Sequence, residues 1–342
     1  MERSDHWPIG LLVMHEDLAT SIAIVRAAEA ANLDSAWTIE FYNRDSFVRL
    51  AAFAAHTSRI RLGSHVTVAF VRPPLMTATA AADVQELAGG RLILGLGTST
   101  KRMNEDWYGL PFDHPAPRLT ELVRLLRALW AHRSGPFSYA GRFYRVQLGH
   151  YQRQRAVEVD PPIYTAGVNP RMVRVAGEVA DGFAGHTIAT VPYLRQVALP
   201  AIQDGARRAG RTLDTFALTS QVITAISDDP AVARREAALQ AAYYSTVRSY
   251  DVILDLHGFQ EEAQRIRAAF RQGDTEGMVA AVGDRMLAEM AIFGTPHQVR
   301  DQLERYRGIV DVPVLYSPHY GVSPARLEEN HYAIIKTFGS GA

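Results

Sequence analysis

Short continuous apolar runs recur along the chain, and between them apolar residues return at helical spacing. Ile9–Met14 (IGLLVM) is such a run, the pattern of a strand buried on both faces. Ser21–Ala31 follows, alanine-rich, with Ile22, Val25 and Ala28 at helical spacing. The same reading predicts strands over Ser35–Ile39, Arg61–Thr67 and Arg91–Leu96, and helices over Asp45–Ala55, Leu75–Ala88 and Arg118–His132. Asp45 is placed to cap the helix whose apolar face is read as Val48, Leu50, Ala51, Ala52 and Ala55. Gly89 and Gly90 close the next helix, where a left-handed residue is wanted. Leu119, Leu122, Leu125, Leu126 and Leu129 give the last of these helices one apolar face.

Four strand–helix units are thus complete by His132, with crossovers long enough for parallel pairing. Ser134–Asp160, rich in Tyr, Arg and Gln, breaks the rhythm. It resumes with strands at Pro162–Ala166, Asp181–Gly185, Phe216–Ile226 and Val312–Tyr316, and helices at Pro170–Val179 and Tyr193–Ala209, the second closed by Gly210. Pro230–Tyr306 reads as extra helices inserted late, interrupted at His257–Gly258, Gly273 and Gly294. Eight strands alternating with helices favour an α/β fold of the (β/α)8 TIM-barrel type with insertions; an open doubly wound sheet is the alternative. A plain barrel takes about 250 residues. The 342 residues here leave room for insertions, and a single barrel domain spanning residues 1–342 is expected.

Composition narrows the classes. Thirty-six basic residues balance 36 acidic ones, and no segment gathers a basic footprint for nucleic acid. The absence of cysteine removes disulfides, thiolate metal sites and Cys nucleophiles. Met1–Pro8 carries no apolar signal core, and no apolar run approaches a membrane span. A soluble, cytoplasmic protein without a membrane partner is expected. Lysine occurs only at Lys101 and Lys336, neither at a strand end, which weakens a Schiff-base aldolase.

Chemistry in such a barrel belongs at the C-terminal ends of the strands. Those ends are His15–Glu16, Glu40–Tyr42, His65–Thr67, Gly97–Thr100, Gly167–Asn169, Gly185–Thr187 and Ser317–Tyr320. They show no metal-ligand spacing, so no metal is expected. The Gly95–Thr100 turn lets backbone N–H groups approach a ligand, or else serves close strand packing. Gly167–Arg171 joins a strand to a helix whose N-terminus suits a phosphate, or is an ordinary Asn-capped turn. Glu40 is a candidate acid/base or a solvated carboxylate, and His65 follows Gly63 and Ser64, where a glycine often marks a bulge. Trp107 and Tyr108 either lid a pocket or pack the insertion.

Several segments together resemble the luciferase-like flavin and deazaflavin oxidoreductases. They are Leu33–Glu40 (LDSAWTIE), Thr57–Thr67 (TSRIRLGSHVT), Ala82–Thr98 (ADVQELAGGRLILGLGT) and Pro161–Pro170 (PPIYTAGVNP) with Ala180–Gly182. The resemblance covers nearly the whole chain. It implies a bulge in the third strand with a cis peptide between His65 and Val66, beneath the cofactor's central ring, continuing into Thr67. It implies that Gly97, Thr98 and Ser99 line the ring, and that Gly167, Val168 and Asn169, with Gly185, His186 and Thr187, hold the phosphate. Met103–Pro111, Gly141–Tyr144 and Tyr250–Gly258 resemble the actinobacterial branch that uses coenzyme F420, with FMN the alternative cofactor and flavin monooxygenation the alternative activity. The implied activity is hydride transfer to a small organic substrate, by a homodimer as is common in the family. His15, Glu40 and His65 are the candidate proton donors. Phe41 and Thr100 stand where the sugar-phosphate dehydrogenases of the family need His and Glu, which argues against that substrate. A non-catalytic flavin-binding barrel is the reading from another class. Specificity is expected from Lys101–Arg118 and Ser245–Arg285.

Overall fold

The structure is a computed structural model that describes residues 7–152 and 160–340. The first half runs β1 (Gly10–Leu12), α1 (Leu18–Ala30), β2 (Ser35–Thr38), α2 (Ser46–His56), β3 (Arg61–Ser64), β4 (Thr67–Val68), α3 (Pro74–Leu87), β5 (Leu92–Gly97) and α4 (Pro115–Ala131). A hairpin follows, β6 (Ser134–Ala140) and β7 (Arg145–Gln152), then β8 (Ile163–Thr165), α5 (Pro170–Val179) and β9 (Gly182–Gly185). The remainder is α6 (Val191–Tyr193), α7 (Leu199–Ala209), β10 (Ala217–Ile226), α8 (Pro230–Ser245), α9 (Asp251–His257), α10 (Gln260–Arg271), α11 (Thr275–Ala281) and α12 (Asp284–Met290). It closes with β11 (Ala291–Gly294), α13 (Pro296–Leu303), β12 (Val312–Tyr316) and α14 (Pro324–Phe338).

Eight parallel strands close on themselves in the order β1, β2, β3, β5, β8, β9, β10, β12 and back to β1. Gly10 is in register with Ser35 on one side and Val314 on the other, which seals the barrel. The (β/α)8 expectation is met, and the open sheet is excluded. Trp37 fills the interior: it is wholly buried, with its ring 5.5 Å from His65 and 6.3 Å from Tyr164. Gly63, opposite it in register, exists for that ring, since a Cβ there would lie 2.2 Å from Trp37 Cε3. Gly63 therefore marks a close approach rather than the bulge; the bulge comes two residues later.

The helices obey their local signals. Asp45 accepts the Val48 amide as N-cap of α2, and Gly210 ends α7 at φ 63°. The inward face of α2 differs from the expected one: Phe47, Arg49, Leu50 and Phe53 are buried, while Val48 is exposed. The predicted helix over Tyr193–Ala209 begins at Val191 and is interrupted by a π turn over Leu194–Ala198. Four elements lie outside the sequence expectations. The β6–β7 hairpin occupies the irregular Tyr-rich stretch, β11 sits inside the helical insertion and pairs with the end of β10, and α14 covers the end of the chain. Asn330 of α14 receives the Ile226 amide and donates to the Thr224 carbonyl, tying the last helix to β10. Among the described residues no helix is long and apolar enough to cross a membrane.

Candidate functional site

β3 stops at Ser64 and its direction resumes as β4 at Thr67, which pairs with β5 at Leu96. Between them the His65–Val66 peptide is cis. The bulge is pressed against β5, and β5 makes room for it with glycine. A Cβ at Gly95 would lie 1.9 Å from the Ser64 carbonyl oxygen, and one at Gly97 would lie 2.4 Å from Val66 Cγ2. Gly95 and Gly97 thus serve strand packing directly. Gly97 also adjoins Ala166, whose Cβ lies 3.5 Å from the same constructed atom, so the turns after β5 and β8 meet there.

Across the barrel, Gln221 of β10 grips the bulge. Its Nε2 donates to the His65 carbonyl at 2.8 Å and lies 3.0 Å from His65 Nδ1. The Thr187 hydroxyl donates to its Oε1. His65, Val66 and Thr187 are brought together in this way, with His186 adjoining. The Thr67 hydroxyl faces elsewhere, bonded to Ser46 at the start of α2 at 2.8 Å. Burial lowers the His65 imidazole to about 4, and burial together with His65 lowers His186 to about 3. Both rings are therefore neutral near pH 7, each with one N–H to donate.

Past Gly97 the chain turns through Thr98 and Ser99, the latter at φ 58°. Asn104, fully buried, clamps this turn by donating to the Thr98 and Thr100 carbonyls at 2.8 and 2.9 Å. At the α5 turn, Val168 offers its carbonyl to the Tyr193 hydroxyl at 2.5 Å. Asn169 is the N-cap of α5, but its side chain makes no capping bond; its Nδ2 is 3.4 Å from the Ser249 carbonyl. The helix start is left without a side-chain cap, unlike the ordinary Asn-capped turn. Arg171 lines a groove of about 410 Å³ with Arg124, Arg142, Arg174 and Glu121.

Glu40 is not solvated. Its carboxylate is buried, accepts the Val68 amide at 2.8 Å, and is held by both Arg72 Nη atoms, Nη1 at 2.7 Å. Its own amide donates to the Val66 carbonyl at 3.0 Å. Arg72 also pairs with Asp45. His15 lies apart, with Nδ1 accepting the Asp17 amide at the start of α1.

Sequence reasoning missed Gln221 and an aromatic cluster over the mouth. The His186 ring centroid is 4.1 Å from that of Tyr250 and 5.1 Å from that of Tyr244. The Tyr244 hydroxyl is 2.8 Å from that of Tyr316, which is 2.7 Å from His319 Nδ1. One signal was available: Thr219, Ser220 and Gln221 form a polar run inside a strand that is otherwise largely apolar.

A family model described as luciferase-like monooxygenase matches residues 6–311. The chain belongs to that family. Its luciferase-like barrel is similar in sequence to a 5,10-methylenetetrahydromethanopterin reductase of Methanopyrus kandleri, 30% identical over 310 residues, 86% of this chain and 88% of the reductase. An uncharacterized protein of Mycobacterium tuberculosis is 33% identical over 84% of this chain and 88% of its own. Among solved structures, the coenzyme F420 dependent tetrahydromethanopterin reductase from Methanopyrus kandleri superposes with TM-score 0.82 at 26% identity, covering 97% of this chain and 99% of that one. An EDTA monooxygenase from Chelativorans superposes with TM-score 0.68 at 17% identity over 97% and 93%, a likeness of fold. The relatives also include a mycobacterial protein named as a coenzyme F420-dependent oxidoreductase, 29% identical over 82% of this chain, and this member of the family is a luciferase-like oxidoreductase.

Proposed function

We propose that this luciferase-like protein is an F420-dependent reductase acting on a small organic substrate. The observation that carries the reading is the likeness to the F420-dependent methanopterin reductase, which extends over 97% of the chain with a TM-score of 0.82. The monooxygenase neighbour covers as much of the chain but has a lower TM-score, 0.68, and a lower identity, 17%.

The residues present suit a deazaflavin. The α5 start, uncapped by Asn169, is open to an anion. The imidazoles of His65 and His186 are neutral, and the Glu40 carboxylate is neutralised by Arg72, so the bulge offers hydrogen bonds without a free negative charge. His65, Val66 and Gly97–Ser99 would face the ring system, and Gly167–Asn169 with Gly185–Thr187 would hold the phosphate. When bound, the deazaflavin supplies hydride transfer. The chain's own contribution is position and protons. Gln221 fixes the His65 carbonyl, and Asn104 fixes the turn after β5. Of the three candidate proton donors, His65 is the one at the bulge. Glu40 acts as a positioning residue for β4 through Val68, and His15 holds the start of α1. A homodimer and a cytoplasmic location belong to the same reading.

Side-by-side fluorescence titration with F420 and FMN tests it. F420 is expected to bind more tightly by roughly tenfold or more. Tight FMN binding with none for F420 overturns the cofactor assignment, and binding of neither overturns the oxidoreductase reading.

A further inference from the structure

We propose that the mouth of the barrel recognises an uncharged, planar aromatic or conjugated substrate carrying one hydrogen-bonding oxygen, held by the Phe41–Tyr42–Trp107 aromatic trio and the Tyr108 hydroxyl. The inference rests on the oxidoreductase reading in taking this cleft as the substrate's entrance.

The trio is built from two loops at the C-terminal ends of β2 and β5, the strands on either side of β3. Phe41 and Tyr42 follow β2, in a tight turn closed by reciprocal bonds between Phe41 and Arg44. Trp107 ends the π turn that follows β5. The three rings meet pairwise, with centroids 4.9, 5.2 and 5.6 Å apart, and Trp107 stands edge-on to both others. Burial does not account for them, since Tyr42 is 68% exposed and Trp107 43% exposed. Large rings left in water beside a cleft are the usual makings of a ligand wall. Phe41 and Tyr42 line a cleft of about 310 Å³, which Tyr108, next in sequence to Trp107, also lines.

The charges in that cleft point to an uncharged occupant. Glu40 and Asp45 are both taken by Arg72. Arg44 donates to the Met14 carbonyl at 2.7 Å and to Asn43 Oδ1 at 3.1 Å, with Glu16 at 3.8 Å. An entering phosphate or carboxylate would have to take Arg72 from Glu40 or Asp45 and leave that carboxylate uncompensated, and Arg44 already commits N–H groups to Met14 and Asn43. One buried polar group on the residues that line the cleft lacks a partner. The Tyr108 hydroxyl is buried and has no hydrogen-bond partner among the described residues. A buried hydroxyl without a partner costs free energy that a carbonyl or hydroxyl on the ligand would recover.

Calorimetric titration of the full-length protein with three compounds separates the components. Methyl 2-naphthyl ketone has the ring and the oxygen, 2-naphthoate has the ring and a charge, and cyclohexyl methyl ketone has the oxygen without the ring. The naphthyl ketone is expected to bind most tightly, with naphthoate weaker by about tenfold or more. Tyr42→Ala and Trp107→Ala should each weaken it by up to about tenfold, and Tyr42→Phe should leave it nearly unchanged. Tyr108→Phe should cost about fivefold for the ketone and nothing for naphthalene itself. Both alanine variants change exposed rings, so their thermal unfolding should match the parent's. Equal affinity for all three compounds, or indifference to Tyr42 and Trp107, overturns the proposal. So does a dimer that either alanine variant dissociates without changing ketone affinity, because the trio is then a subunit contact. F420 titration of the same preparations distinguishes this failure from failure of the cofactor reading: F420 bound but naphthyl ketone ignored overturns the substrate class alone.

Discussion

Two glycines in β5 illustrate how one atom decides the shape of the bulge. The constructed Cβ of Gly97 meets a side-chain methyl, Val66 Cγ2, at 2.4 Å, whereas that of Gly95 meets a backbone oxygen, Ser64 O, at 1.9 Å. A methyl can be displaced; the Ser64 carbonyl is fixed in the strand. Gly97→Ala is therefore expected to fold with a stability loss of roughly 1–3 kcal/mol and with weakened F420 binding, as Val66 is pushed out of place. Gly95→Ala should lose more, measured by urea unfolding, and should yield little soluble protein. A Gly97→Ala variant with unchanged stability and unchanged cofactor affinity would show that Val66 has slack that its contacts do not suggest.

At the scale of elements, the short strand β4 is held in place by ionic contacts as well as by pairing. Glu40, just after β2, reaches over to the Val68 amide and is clamped by Arg72 from the segment between β4 and α3. Glu40→Leu strands Arg72 with Asp45 alone and removes an acceptor from a buried amide, so a loss of roughly 2–4 kcal/mol is expected. Removing both charges, as Glu40→Leu with Arg72→Leu, should recover part of that, because no buried charge is then uncompensated. A double-mutant cycle in urea measures the coupling, and strict additivity would mean that the pair contributes nothing to β4. The elements also show what was legible beforehand. Barrel strands such as Val312–Tyr316 stood out because burial on both faces demands a continuous apolar run. The hairpin did not, because β6 is half-exposed: its aromatic residues Phe137 and Tyr139 alternate with Ser138 and Ala140, and Gly135 and Pro136 stand at its start. β11 is only four residues long inside a helical stretch, too short for any period to show. In the site, the turns and His65–Val66 were legible through local motifs and family resemblance. Gln221 was not, because its bonds to Thr187 and to His65 join residues far apart in the chain.

For the whole molecule, buried histidines set the response to acid. Burial lowers His65, His319 and His331 to about 4 and His186 to about 3, against 6.5 for a free imidazole. Between pH 6.5 and 4 the unfolded chain therefore binds protons that the folded chain refuses, and stability falls as pH falls through that window. Above pH 6.5 both states are neutral at these rings and the effect vanishes; below about 4 the folded rings take up their protons and the loss stops growing. His65 and His331 are the most deeply buried of the four. Together they give a slope of about 2.5 kcal/mol per pH unit near pH 5. Urea midpoints measured from pH 4 to pH 8 should be level above 6.5 and drop steadily beneath it. His331→Gln, which keeps a hydrogen-bonding side chain against Leu12 and Leu327 but cannot be protonated, should reduce the slope by the equivalent of one proton. A midpoint constant from pH 6.5 to 4.5 would mean that these rings become protonated within the fold, and that the neutral imidazoles assigned to the site are charged there.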